Sequence, residues 1–115
     1  MRTLTLNDQQ WEVVYLPKAA RDLKKLDTTQ ARLVTTAISK VQQNPLPYTE
    51  GGLGKPLGNR NGTELSGLLK IKLRSSGLRV VYQLRRVNGV MTIVVIGARS
   101  DNAVYREAQR RLGNL

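Results

Sequence analysis

The sequence predicts an α+β fold in the order β-α-α-β-β-β-α, with an antiparallel sheet of about four strands and the two N-terminal helices on one face. Three observations predict it. Apolar residues recur at helical spacing between residues 18 and 44. Three runs of β-forming residues follow between residues 68 and 98, and the short turns between them are typical of an antiparallel meander. A last stretch, from residue 101, returns to helical spacing.

The first half of the chain predicts one strand and two helices. Residues 11–16 (WEVVYL) favour a strand, and Pro17 suits the first turn of the helix that follows. Asp27 or Thr28 is expected to cap the second helix. That helix ends near Asn44, because the proline after it disfavours helical backbone at the residue before it.

A long connection rich in glycine, residues 46–66, precedes the strands. A loop of this length in a small domain is often functional or mobile. It is not a nucleotide-binding P-loop, because the spacing of glycine, lysine and Ser/Thr that defines such a loop is absent.

The predicted meander begins with a strictly alternating strand, KIKL, at residues 70–73. Period-two alternation places Lys70 and Lys72 on one face, where they should form an open row of positive charge. The second strand is residues 78–84. The third, residues 90–98, is nearly all apolar and should be covered on both faces for much of its length.

The last predicted helix follows residue 100. Asp101 or Asn102 is expected to cap it. Val104, Ala108 and Leu112 form one apolar stripe along it, which should pack against the sheet.

Composition narrows the classes of function. The length of 115 residues predicts one domain at residues 11–115, with residues 1–10 as an arm. The chain has 19 basic and 8 acidic residues, a net charge of +11, which favours a polyanionic partner such as nucleic acid or an acidic protein. It has neither cysteine nor histidine, which excludes disulfides and histidine acid–base pairs. No apolar run is long enough to span a membrane, so a cytoplasmic protein is expected.

Five side chains are expected to gather where the hairpin, the end of the last strand and the last helix meet: Lys70, Lys72, Arg79, Arg99 and Tyr105. Cleavage of RNA by its own 2′-hydroxyl needs a base, charge stabilisation at phosphorus and an acid for the leaving oxygen. A lysine among other cations holds its proton less tightly and can act as the base. Arginines can hold phosphate oxygens, and a tyrosine can stack on a base.

The same residues admit ordinary structural interpretations. Lys70 and Lys72 can simply be solvated on an exposed strand, and Tyr105 can belong to the core. Arg79 and Arg99 can pair with nearby acidic residues.

Two segments carry a resemblance to a known family. KIKLRSSGLRVVYQL, residues 70–84, and IGARSDNAVYREAQRRL, residues 96–112, resemble the RelE branch of the RelE/ParE toxin superfamily. WEVVYLPKAARDLKKL is similar, more loosely, to the opening strand and helix of that family. The resemblance implies a RelE-like fold and a toxin of a type II toxin–antitoxin system that cuts mRNA in the ribosomal A site.

The resemblance also implies roles and partners. Lys70 would be the base, Lys72 and Arg79 charge stabilisers, Arg99 the acid or a phosphate clamp, and Tyr105 an orienting residue. The partners would be an acidic antitoxin that binds the toxin in a heterocomplex, and the 70S ribosome with its mRNA and 16S rRNA. No metal or cofactor is expected. Further RNA-binding residues are expected among the nearby cations Lys55, Arg60, Arg74 and Arg85.

Two other functions stay open at this point. One is inhibition of DNA gyrase on the same fold, as in ParE-like relatives, although those generally lack the full set of five residues. The other is a nucleic-acid-binding module without catalysis.

Overall fold

The computed structural model describes residues 11–57, 67–98 and 101–113, with the backbone alone at 101 and 102. This part of the chain forms one five-stranded sheet, three α-helices and a short 3₁₀ helix. The elements, in chain order, are β1 (Glu12–Tyr15), α1 (Pro17–Lys24), α2 (Thr28–Gln42), the 3₁₀ helix (Tyr48–Glu50), β2 (Lys55–Pro56), β3 (Leu68–Leu73), β4 (Leu78–Arg85), β5 (Val90–Gly97) and α3 (Asp101–Gly113).

The α+β fold is confirmed, with two differences in the sheet. The strand order is β1-β5-β4-β3-β2, so a fifth strand, β2, extends the sheet at one edge. β2 is only two residues long and forms by pairing with β3. So short a segment has no recognisable strand pattern in its own sequence. The second difference is that β1 pairs with β5 in parallel, while the other pairs are antiparallel as predicted.

Local sequence determines where the two N-terminal helices begin. Pro17 occupies the first helical position of α1, where the missing N–H costs no hydrogen bond. Asp27 is the N-cap of α2, and its carboxylate accepts a hydrogen bond of 2.7 Å from the amide of Gln30. The cap predicted at Asp101 or Asn102 lies outside the described side chains.

The sheet has an apolar core on each face. The larger core lies under α1 and α2 and includes Val34, Ile38, Val80 and Tyr82. The second lies under α3. It includes Val81, Val94, Val95, Val104, Tyr105 and Ala108. Both faces of β5 are therefore covered, as its apolar sequence predicts.

A β-bulge adapts β5 to these two cores. The pairing of β4 with β5 shifts between Val81 and Tyr82, because Val81 lies opposite Val95 but Tyr82 lies opposite Ile93. The extra residue is Val94, and both Val94 and Val95 contribute to the α3 core.

The segment between α2 and β2 is held by hydrogen bonds. The buried Tyr82 hydroxyl donates to the Pro45 carbonyl at 2.8 Å, and the Leu53 amide donates to the Asn44 carbonyl at 2.9 Å. Arg86 binds both carboxylate oxygens of Glu50. Residues 46–57 are therefore ordered, and the rest of the predicted long loop, residues 58–66, lies outside the described residues, as does the predicted arm at residues 1–10.

No helix in the described part of the chain is long and apolar enough to cross a bilayer.

Candidate active site

The β3–β4 hairpin brings two candidate residues together. Lys72 and Arg79 are direct partners in the antiparallel register, so their side chains leave the same face of the sheet side by side. The turn that allows this uses Gly77 with a φ of 75°. Lys72 is exposed, and Arg79 is partly exposed. Arg79 Nη1 donates to the Gly77 carbonyl at 2.8 Å, which fixes the guanidinium beside the turn.

Lys70 lies two residues before Lys72 on the same face, but it does not join an open row of cations. Its side chain is 8% exposed, because it contacts Tyr105 of α3, the helix that packs against β4 and β5. Tyr105 of α3 is 1% exposed and belongs to the core beneath that helix. The expectation of an uncovered lysine row is therefore wrong at Lys70, and the interpretation of Tyr105 as a core residue is confirmed.

The buried ammonium of Lys70 has a specific partner in Tyr105. Lys70 Nζ donates to Tyr105 Oη at 2.7 Å. Nζ is 5.3 Å from the centre of the Tyr105 ring. This distance is close to the one expected if Nζ lay on the line from the ring centre through the hydroxyl oxygen. The contact is therefore a hydrogen bond along the long axis of the ring, and little of it is a cation–π interaction with the ring face. The bond thus places Lys70 Nζ beside the Tyr105 hydroxyl.

Lys55, one of the residues predicted to bind RNA, lies beside this group. Lys55 pairs with Lys70 across β2 and β3 and is exposed at the sheet edge. Arg74 is exposed in the β3–β4 turn. Arg85 is exposed six residues beyond Arg79 on β4, which places it roughly 20 Å away along the strand.

Two predicted site residues, Arg99 and Arg60, lie outside the described residues. The structure thus brings together Lys55, Lys70, Lys72, Arg79 and Tyr105, and it leaves Arg85 at a distance. The exposed members are cationic and share one face, so the arrangement is suited to bind a phosphodiester.

A second polar cluster lies at the other sheet edge, beyond the end of β1. Arg111 of α3 donates to the Val94 carbonyl at 2.8 Å, and Asp22 of α1 accepts from the Ile96 amide at 3.0 Å. Arg111 also binds Asp22 directly, with Nη1 2.8 Å from Oδ2. These two side chains hydrogen-bond to the backbone of β5 where β1 no longer pairs with it. They also join α1 and α3, which lie on opposite faces of the sheet. We call this group, with Glu107, the edge clamp.

Glu107 completes the edge clamp with two arginines. Hydrogen bonds from Arg110, and then from Arg111, lower the pKa of the Glu107 carboxyl to about 2, although burial opposes the shift. The clamp borders a cavity of about 340 Å³ between α1, α3 and the end of β5.

Sequence reasoning missed the edge clamp because it interpreted Arg111 only as a cation suited to a helix C-terminus. The one available signal was Asp22, the sole carboxylate in the strongly basic helix α1.

Within residues 11–57, 67–98 and 101–113, no three acidic side chains come together in a way that could hold a metal ion. The expectation that the protein needs no metal stays a prediction.

Comparisons with known proteins agree with the fold and with the resemblance. The family model of the ParE toxin of type II toxin–antitoxin systems (parDE) matches residues 13–103. The mRNA interferase toxin RelE of Escherichia coli strain K12 is 30% identical over 95 residues, which cover 83% of this chain and 90% of that protein.

Two solved structures are also similar. A double arginine-to-alanine mutant of the E. coli toxin RelE in the free state matches with a TM-score of 0.70 and 25% identity, covering 90% of this chain and 99% of that chain. The same mutant in complex with an antitoxin RelBc peptide gives a TM-score of 0.64 and 25% identity, covering 87% of this chain and 95% of that chain.

Proposed function

The chain belongs to the RelE/ParE superfamily of type II toxins, and from that premise we propose that it is a ribosome-dependent endoribonuclease that cleaves mRNA in the A site. In this reaction the 2′-oxygen attacks the adjacent phosphorus and the bond to the 5′-oxygen breaks. The proton of the 2′-hydroxyl passes to a base, and an acid protonates the leaving 5′-oxygen. The products end in a 2′,3′-cyclic phosphate and a 5′-hydroxyl.

The pairing of Lys72 with Arg79 is the observation that carries this proposal. An ammonium and a guanidinium side by side on a partly exposed sheet face can bind the two non-bridging oxygens of one phosphate. They would bind more tightly as negative charge accumulates in the pentacovalent transition state. The hydrogen bond from Arg79 to the Gly77 carbonyl supports this role, because it holds one cation in place before substrate arrives.

Lys70 and Tyr105 act as a pair in this proposal. Lys70 is the base, and Tyr105 is the residue that orients it through the 2.7 Å hydrogen bond. The burial of Tyr105 favours orientation over base stacking, because a ring that is 1% exposed offers no free face to a nucleotide. Arg99 is proposed as the acid or as a second phosphate clamp.

A small cationic site without histidine is a modest catalyst in isolation. Precise placement of the reacting groups can supply several kcal/mol of barrier lowering, roughly 7–11 at best. A toxin that acts on mRNA held by the ribosome would obtain much of that placement from the ribosome. This supports the proposal that cleavage depends on the ribosome.

We further propose that the physiological partner of the free toxin is an acidic antitoxin. The net charge of +11 and the exposed cations of the site favour such a partner. A bound antitoxin that neutralised Lys72 and Arg79 would block the phosphate site.

The decisive test is the double variant Lys72→Ala/Arg79→Ala. Expressed without an antitoxin, the wild-type chain should arrest growth and cut mRNA on programmed ribosomes. The double variant should lose at least about 100-fold in cleavage rate, as is typical when charge stabilisation of a transition state is removed. Its melting temperature should stay close to that of the wild type, since Lys72 is exposed and Arg79 partly so.

The matched control is Lys40→Ala/Arg106→Ala, which removes two exposed cations from α2 and α3. The control should keep both activities. Full cleavage by the Lys72/Arg79 variant would contradict the proposal. A wild-type chain that inhibits gyrase supercoiling and leaves ribosome-bound mRNA intact would instead support a ParE-like function; the family model that matches the chain is that of the ParE toxin.

A further inference from the structure

Helix α1 carries a second concentration of positive charge, on the face of the sheet opposite the candidate site. Lys18, Arg21, Lys24 and Lys25 are all exposed on this helix and its C-cap. Lys18, Arg21 and Lys25 follow each other at helical spacing and form one outer stripe about 10 Å long. We call these three residues, together with Lys24 beside them, the α1 stripe.

The α1 stripe is not neutralised by ion pairs within the described residues, although Lys25 lines the cavity beside the edge clamp together with Asp22 and Glu107. None of its members takes part in the ion pairs or side-chain hydrogen bonds found there. The one carboxylate of α1, Asp22, is turned inward and is bound by Arg111 and by the Ile96 amide.

Part of this arrangement is unfavourable for the isolated helix, although the helix dipole favours Arg21 and Lys24 in the last turn. Arg21 lies three residues from both Lys18 and Lys24, and like charges at that spacing repel. Lys18 also stands in the first turn, where the helix dipole favours acidic residues, and that turn contains none. A bound polyanion would relieve both repulsions.

The composition of the stripe distinguishes between polyanions. Protein interfaces are typically centred on apolar and aromatic side chains, and none of the exposed large apolar side chains of the described residues lies on α1. The helix also has no aromatic residue on which single-stranded bases could stack. A straight row of cations without either feature suits the continuous phosphate backbone of a double helix.

We propose that the α1 stripe binds the phosphate backbone of double-helical RNA. The choice of RNA over DNA rests on the proposed ribosome-dependent function. The toxin would then contact RNA on both faces of its sheet. The hairpin side binds the strand to be cut, and α1 anchors the protein on a neighbouring RNA duplex.

The test uses Lys18→Gln/Arg21→Gln, placed in the Lys72→Ala/Arg79→Ala background so that the probe is neither cut nor held by the catalytic face. The probe is an RNA duplex of about 16 base pairs, the length that compact duplex-binding domains span. Its single strand is measured beside it by fluorescence anisotropy over a series of salt concentrations. Glutamine has a helix propensity close to that of lysine and arginine, so α1 should keep its structure.

We expect the variant to bind the duplex about tenfold more weakly near 100 mM salt, with a dependence on salt reduced by about one to two phosphate contacts. Binding to the single strand should change far less. The matched control, Lys40→Gln/Arg106→Gln in the same background, removes the same charge and should stay within about twofold of the parent.

Three results would overturn the proposal. An equal loss of duplex affinity in the variant and in the control would show that only the net charge of the protein matters. Equal loss on duplex and single strand would remove the preference for a double helix. Unchanged RNA binding with lost affinity for an acidic peptide would assign the stripe to a protein partner. Because every readout is binding, failure here is separable from failure of the cleavage assay.

Discussion

Lys70 shows how a single polar side chain can be buried when it has a defined acceptor. Its Nζ donates to Tyr105 Oη in the core beneath α3. Tyr105→Phe keeps the ring but removes that acceptor. We therefore expect this variant to lose about 1–3 kcal/mol of unfolding free energy, the usual cost of removing one partner of a buried hydrogen bond. Urea denaturation would measure it.

A double-mutant cycle identifies the cause. Lys70→Met replaces the ammonium with an apolar group of similar shape, which is often tolerated in a core. In the Lys70→Met background, Tyr105→Phe should cost at least about 1 kcal/mol less than in the wild type. Costs that simply add would show that the two side chains do not interact.

At the scale of elements, the edge clamp makes the position of α3 sensitive to acid. The folded pKa of Glu107 is about 2, below its ordinary value of 4.5. A lowered folded pKa means that the ionised carboxylate stabilises the fold fully above the ordinary value, and that this stabilisation is lost as the pH falls from there to about 2.

Glu107→Gln should remove this dependence. Relative to the wild type, the variant should be less stable at pH 7 by about 1–2 kcal/mol, since one arginine partner is exposed and screened. The difference should shrink as the pH falls below about 4.5. Chemical denaturation at a series of pH values would measure it, and a difference that stays constant with pH would rule out the carboxylate as the cause.

Sequence reasoning predicted most elements correctly, because their signals are local. Pro17, the Asp27 cap and the Asn44-Pro45 pair determine where the first two helices begin and end. The turn glycines Gly77 and Gly89, with φ of 75° and 65°, separate the three strands of the meander. These residues act locally, through their own backbone conformation or, for Asp27, through a hydrogen bond to an amide three residues later, so their effect can be predicted without the rest of the fold.

The burial of Lys70 and the existence of β2 could not be predicted in this way. Period-two alternation assigns Lys70 and Lys72 to one face, but it does not show that α3 covers only the first of them. β2 is a strand because β3 lies beside it, and its two residues, one of them a proline, have no strand preference of their own. Both features depend on contacts between distant segments.

The charge of the whole molecule should make its stability depend on salt. With a net charge of +11, the compact state suffers self-repulsion that added ions screen. We expect the melting temperature to rise by roughly 2–5 °C between low salt and about 300 mM NaCl. Differential scanning fluorimetry would measure it. The melting temperature of the Lys18→Gln/Arg21→Gln variant should rise less with salt. A melting temperature that falls with salt would mean that attractive ion pairs dominate.

The parallel pairing of β1 with β5 has a consequence for synthesis of the protein. β1 precedes every other strand in the chain, yet its partner, residues 90–93, is synthesised after all the other strands. Until then, the apolar side of β1 has no finished sheet to join, and closing so large a loop is entropically slow. β1 therefore waits for β5 before it can join the sheet, whereas the pairs β2–β3 and β3–β4 need only segments that are made before β5.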